Sequence, residues 1–177
     1  MGSKSSGSSS GEDECGEWVD DSCNCIDKNG ENIGKNTLYD DSQVIKIYWE
    51  STHLVSSGVR ILSKIPRLGT GPDLCHAYVQ TYIKCSKCHS YKYVTFEYGV
   101  SGKQWRIGKY NKVFKNYDSY KPNSMNIKYV LDKFNNISGF RASDYRFLKN
   151  NCQHFAEKFY RKILWDYDWS YALKVKW

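Results

Sequence analysis

The chain has 177 residues, 40% of them hydrophobic, enough for one folded core and too few for several domains. No run of eighteen apolar residues occurs, and the start lacks the apolar stretch of a secretory signal. A membrane-spanning or exported protein is thereby excluded from expectation, a cytoplasmic one is expected, and the seven cysteines read as reduced thiols.

The charge is divided unevenly. Residues 1–41 hold ten acidic side chains against three lysines, a net −7, whereas residues 42–177 hold 23 basic against nine acidic, a net +14. The first 41 residues are rich in Gly, Ser and acids, and the composition predicts a disordered acidic arm ahead of a folded domain over 42–177. The opening "MGSKSS" fits the acceptor pattern for N-myristoylation on Gly2 and equally fits a Ser/Gly linker. One acyl chain anchors marginally, so contact with a membrane surface would need a second signal, such as palmitoylation at Cys15, Cys23 or Cys25.

From Gln43 to Trp49 the alternating, β-branched "QVIKIYW" predicts a strand. In "THLVSSGVRILSKIP" the apolar residues Leu54, Val55, Val59, Ile61, Leu62 and Ile65 recur at helical intervals, predicting a short helix ended by Pro66. "LCHAYVQTYI" (74–83) and "YKYVTFEYGV" (91–100) read as two strands joined by a tip, "KCSKCHS". Period two puts Cys75, Ala77, Val79 and Thr81 on one face of the first, and His76, Tyr78, Gln80 and Tyr82 on the other. "KQWRIGKYN" is a third strand. "NSMNIKYVLDKFNN" carries a capping residue and Ile127, Val130, Leu131 and Phe134 at i, i+3, i+4 and i+7, an amphipathic helix. "SDYRFL" reads as extended.

In "FLKNNCQHFAEKF" (147–159), Asn150 and Asn151 stand where an N-cap belongs, and Phe155, Ala156, Phe159, Tyr160, Ile163 and Leu164 form a helical stripe. Cys152 then lies in the first helical turn, where the positive end of the helix dipole favours a thiolate and first-turn N–H groups can receive an oxyanion. A cysteine nucleophile needs a base, and the histidines are His53, His76, His89 and His154. His154, two residues on, points to another side of the helix and reads as a supporting residue. His89 belongs to the hairpin tip. His76 opens a strand and is the base of choice. The bland alternatives are a buried, inert Cys152 and a core histidine at 76.

Two other chemistries are weighed. The "CSKCH" of Cys85–His89 matches the haem c attachment pattern without an export signal and supplies half of a zinc shell, which the arm cysteines would have to complete; a solvated hairpin tip is the simpler reading, and no metal or cofactor is expected. The basic and tyrosine-rich run Trp105–Lys121 raises nucleic-acid binding, but no nucleic-acid module accompanies it. The aromatic ending "ILWDYDWSYALKVKW" suits a membrane interface or a cover over the core.

"YRFLKNNCQHFAEKF" resembles the Asn-Cys-x-His-Phe segment of the lecithin retinol acyltransferase group and the Asn-Cys-Asn-x-Phe segment of the PPPDE peptidases. "CHAYVQTYI" with "FEYGVSG" is similar to the PPPDE His strand and its partner. Both groups are circularly permuted papain-like thiol hydrolases in which the His strand precedes the Cys helix, as His76 precedes Cys152. The resemblance, over about residues 43–164, implies an α+β permuted papain-like fold whose antiparallel sheet packs on a helix with the Cys at its N-terminus. It implies a Cys152–His76 pair acting on an ester, amide or isopeptide, in an acyl-lipid or a ubiquitin-like conjugate. The acyltransferase group orients its base with a second His on the neighbouring strand. Here that strand has none, leaving Glu97 or Tyr98 to substitute, or a dyad alone. A monomer is expected. The rival readings are a non-catalytic relative and a basic module that binds a membrane, a protein or nucleic acid.

Overall fold

A computed structural model describes residues 18–19, 38–53, 75–146 and 149–168. The helix expected over 54–65 and the aromatic ending beyond residue 168 lie outside the described residues. The architecture is mixed α+β, one five-stranded antiparallel sheet with two helices. In chain order the elements are β1 (Trp18–Val19), β2 (Gln43–His53), β3 (Cys75–Lys84), β4 (Tyr91–Gly99), β5 (Gly102–Ile107), β6 (Lys109–Tyr110), β7 (Lys115–Tyr120), α1 (Ile127–Asn136), a 3₁₀ turn (Ala142–Asp144) and α2 (Cys152–Tyr167). The sheet order is β5-β4-β3-β2-β7, and β1 pairs with β6 as a separate two-stranded ribbon.

The alternation of β3 is realised. Ala77, Val79, Thr81 and Ile83 are fully buried beneath α2, together with Val94, Phe96 and Tyr98 of β4. α2 buries the stripe its sequence predicts, Phe155, Ala156, Phe159, Tyr160, Ile163 and Leu164, with Cys152 at its first turn. Phe159 sits at the centre of this core, its ring 5.4 Å from Phe96, 5.7 Å from Phe134 and 5.4 Å from Phe155. Asn126 caps α1 by accepting from the Tyr129 N–H. The far end of α1 is closed from the sheet: Lys103 Nζ of β5 donates to the carbonyls of Phe134, Asn135 and Ile137 at 2.8, 3.3 and 3.0 Å.

Two expectations are corrected, and one strand was not anticipated. The arm is not uniformly unstructured, because Trp18–Val19 forms a strand with register Trp18↔Tyr110 and Val19↔Lys109. "SDYRFL" is not extended throughout: Ser143 and Asp144 lie in the 3₁₀ turn, closed by a hydrogen bond from the Asp144 N–H to the Arg141 carbonyl. Within the basic run, β7 adds a strand that composition concealed, since "KNYDSY" is polar on both sides of a sheet edge.

The sheet opens where the site will lie. The β3–β4 ladder runs from Lys84↔Tyr91 to Val79↔Phe96 and stops there, while β3 continues to Cys75 along β2. One edge of Cys75–Tyr78 is therefore left without a strand, and the N-terminus of α2 fills the gap. Because Phe159 is what holds that helix on the sheet, Phe159→Ala should cost about 3–5 kcal/mol, the range for emptying a packed aromatic site; urea denaturation followed by circular dichroism reads it.

Candidate active site

Asn151 fixes the helix start as predicted: its Oδ1 accepts from the N–H groups of Gln153 and His154 at 3.0 and 3.2 Å. The next residue, Cys152, is buried, with Sγ 3.8 Å from the Cys75 carbonyl oxygen. The Ala77 and Gln153 backbone N–H groups also interact with the sulfur. The thiol thus occupies the position of a missing strand partner, satisfying part of an open β3 edge.

His76 stands between this thiol and a carboxylate. Its Nε2 lies 2.8 Å from Glu97 Oε2, which leaves Nδ1 as the ring nitrogen for the thiol it also contacts. Register explains the meeting. Extended past its last rung, the β3–β4 ladder sets Glu97 opposite Tyr78, so His76 is its diagonal neighbour on the same face. Tyr98, the other residue considered for orienting the base, faces away, packing on Phe140, Tyr145 and Phe155 and donating its hydroxyl to the Arg141 carbonyl at 2.9 Å.

Glu97 is 2% exposed and has four neighbours with donors. Oε2 accepts from His76 and from the Tyr110 hydroxyl at 2.6 Å; Oε1 accepts from Gln104 Nε2 at 3.1 Å. Arg106 Nε is 2.9 Å from Oε1, an ion pair whose N–H is not aligned for a hydrogen bond. Arg106 spends Nη2 on the Tyr110 hydroxyl at 2.7 Å. Arg106 and Tyr110 were hidden in what reads as a basic, tyrosine-rich run, with Gln104 just ahead of it. The signal that could have found them is the period of two, which puts Gln104 and Arg106 on one face of β5.

These contacts decide the protonation states. Burial disfavours the His76 cation, but the hydrogen bonds and charges of Cys152 and Glu97 outweigh it and raise the imidazole to about 9. Burial likewise opposes the Cys152 thiolate, yet His76 and the Ala77 and Gln153 amides bring the thiol below its ordinary value. Glu97, whose burial alone would raise it, is lowered by His76, Tyr110 and Arg106. The three shifts together favour an imidazolium between a thiolate and a carboxylate.

A cleft of about 160 Å³ lies alongside, lined by Trp49, Ala77, Tyr117, Gln153, His154 and Glu157. Ala77 and Gln153 are the residues next in sequence to the base and the thiol. The rings of Trp49 and Tyr117 stack at 4.8 Å to form an aromatic wall. Gln153 Nε2 has a thiol as its acceptor, Cys75 Sγ at 3.4 Å. His154 is exposed, with Nδ1 2.8 Å from Asn151 Oδ1, so it buttresses the cap instead of facing the sulfur.

The other histidines are elsewhere. His89 adopts a left-handed φ of 57° in the hairpin tip, where Cys88 Sγ lies 2.9 Å from Ser90 Oγ and Cys85 is buried. His53 ends β2, backbone-paired with Cys75. Gly2 and the arm cysteines lie outside the described residues, and no described helix is long and apolar enough to cross a membrane. The chain matches no family model, no curated protein and no solved structure.

The pH dependence follows from these shifts. His76, raised from 6.5 to about 9, contributes stability that is fully present below 6.5 and lost as pH rises through about 9. Cys152, lowered, contributes stability present above its unfolded value and lost as pH falls through its folded one. The charged pair therefore exists from the lowered thiol pKa up to about 9. Glu97→Gln removes a charge that supports the imidazolium, so its upper limit should fall below 9 and its lower limit should rise. The ultraviolet absorbance of the thiolate and the NMR titration of His76 measure the two limits; an unchanged window would show that Glu97 does not support the pair.

Proposed function

We propose that the chain is a cysteine-dependent hydrolase or acyl-transfer enzyme acting on an ester, amide or isopeptide bond, with Cys152 as nucleophile, His76 as acid and base, and Glu97 as the group that orients His76. The observation that carries this reading is the 2.8 Å contact between His76 Nε2 and Glu97 Oε2, on an imidazole whose remaining nitrogen serves a thiol lowered by it. A merely buried cysteine has no use for a charged base that is itself oriented by a carboxylate.

The Cys152 thiolate attacks the carbonyl carbon, forming the S–C bond and moving the carbonyl electron pair onto oxygen. His76 gives its Nδ1 proton to the leaving nitrogen or oxygen as that bond breaks, producing a thioester. A water or an acceptor alcohol or amine then attacks the thioester, loses its proton to His76 and expels the thiolate. Glu97 keeps its charge throughout and stabilises the imidazolium.

The oxyanion needs donors. Of the first-turn N–H groups of α2, Asn151 already holds those of Gln153 and His154. The side-chain amide of Gln153, in the cleft and spent on a weak sulfur acceptor, is the donor we assign to it. This reading agrees with a permuted papain-like fold, in which a His strand precedes the Cys helix, and with acyl-lipids or ubiquitin-like conjugates as substrates. Myristoylation at Gly2, together with a second signal, would hold such an enzyme near a membrane.

A chloroacetamide or similar thiol-directed probe should modify Cys152 faster than any other thiol, and Cys152→Ala should abolish both the labelling and the turnover of a thioester or activated-ester reporter. His76→Ala should cut turnover by about 10²-fold or more, with the melting temperature nearly kept. Fast labelling at Cys85 or Cys88 while Cys152 stays protected until unfolding would sink the proposal. Gln153→Ala should lower kcat by up to about 10²-fold with little change in KM, the pattern for a donor that acts on the transition state.

A further inference from the structure

The ribbon of β1 and β6 lies against the Glu97 network, and its fit there is specific. The Trp18 ring centroid is 3.4 Å from the Arg106 guanidinium carbon, a close cation–π stack, and the same ring meets Tyr110 edge-on at 5.4 Å and 86°. Gly108, between β5 and β6, has φ +131°, and a Cβ there would run into the Val19 carbonyl oxygen and the Trp18 ring. The turn thus needs a glycine both for its backbone conformation and for the seat it offers to β1.

Arg106 and Tyr110, the two residues Trp18 covers, are two of the four neighbours of Glu97. Arg106 Nε stands 2.9 Å from Oε1, and its Nη2 donates to the Tyr110 hydroxyl, which donates to Oε2 beside His76. Arg106 is 39% exposed on its side chain, against 2% for Glu97, so its guanidinium, with the exposed Gln104, lies on the side from which water can enter the network. An aromatic face over the guanidinium blocks one approach and holds it flat. No equivalent role falls to Gln104, which makes a single hydrogen bond to Oε1.

We propose that Trp18 is a positioning residue for the active site: seated as strand β1 against Gly108, it fixes Arg106 and Tyr110 on Glu97 and, through Glu97, orients His76 toward Cys152. The proposal rests on the thiol-enzyme reading above. It makes the acidic arm part of the catalytic apparatus, since the competence of the Cys–His pair depends on whether β1 occupies its seat. A partner that draws residues 18–19 away would lower activity without touching the cleft.

The test uses the full-length chain and three variants, Trp18→Ala, Trp18→Phe and Gly108→Ala, with two readouts: the pH profile of Cys152 alkylation by iodoacetamide, and the NMR titration of His76. A cation–π stack of this kind is strong enough to shift an equilibrium by roughly two- to thirtyfold. Trp18→Ala should therefore slow neutral-pH alkylation within that range, move the acid limb of its profile to higher pH and lower the His76 titration midpoint. Trp18→Phe should restore most of each, and Gly108→Ala should resemble Trp18→Ala. Superimposable profiles for wild type and Trp18→Ala, or a change that appears only with loss of the circular dichroism signal, would overturn the proposal. Should Cys152 of the wild type react no faster than a free thiol, the thiol-enzyme reading fails, and the His76 midpoint still decides whether Trp18 governs the network.

Discussion

A carboxylate buried to 2% exposure is the constraint around which this molecule is arranged. Removed from water, an unmatched Glu97 charge would cost several kcal/mol, more than most single contacts supply. It is matched by His76 from β3, Gln104 and Arg106 from β5, and Tyr110 from β6. The turn at Gly108, which would otherwise be a local detail, brings Tyr110 back over the sheet to reach Oε2. Three elements are thereby tied to one side chain of β4, and the His76 ring is oriented as part of the same arrangement that makes the burial tolerable.

The second determinant is a competition between strand pairing and the site. Had β4 continued along β3 past Val79, the sheet would satisfy the backbone from Cys75 to Tyr78, and no helix could bring a thiol there. Because the ladder stops, the start of α2 enters, and the Cys152 sulfur takes up the Ala77 N–H beside the Cys75 carbonyl. A sulfur is a poorer partner than a strand. The deficit is offset by the aromatic burial behind it, with Phe155 and Phe159 of α2 packed on Phe96, Tyr98 and Phe134. The helix is held from its middle, so its first turn can be placed by function.

How far the sequence revealed this depends on whether the governing contact was local. Asn151 as a cap, the α2 stripe and the alternation of β3 follow from spacing within one element, and each is realised. The choice between Glu97 and Tyr98 as partner of His76 could be framed but not made without register, which puts the two on opposite faces of β4. Arg106, Tyr110 and Trp18 were concealed for a different reason: composition assigned them to a basic surface run and an acidic arm, and only the close packing of distant segments turns a surface-type residue into the partner of a buried charge. β7 was missed because an edge strand of polar residues has no alternation to detect.

The site also has an electrostatic order that no single pair conveys. In the ionised form that the shifts favour, the charges from Cys152 through His76 and Glu97 to Arg106 alternate, negative, positive, negative, positive, and sum to zero. A neutral chain of this kind couples weakly to the net +14 carried by residues 42–177, so the state of the thiol is set by its immediate neighbours and not by the field of the surface. Neutrality also makes the members interdependent. Discharging one leaves an odd buried charge, which a proton shift within the chain cannot remove and only proton exchange with solvent can. The Cys152 thiol, the His76 ring and the Glu97 carboxylate belong to one coupled unit.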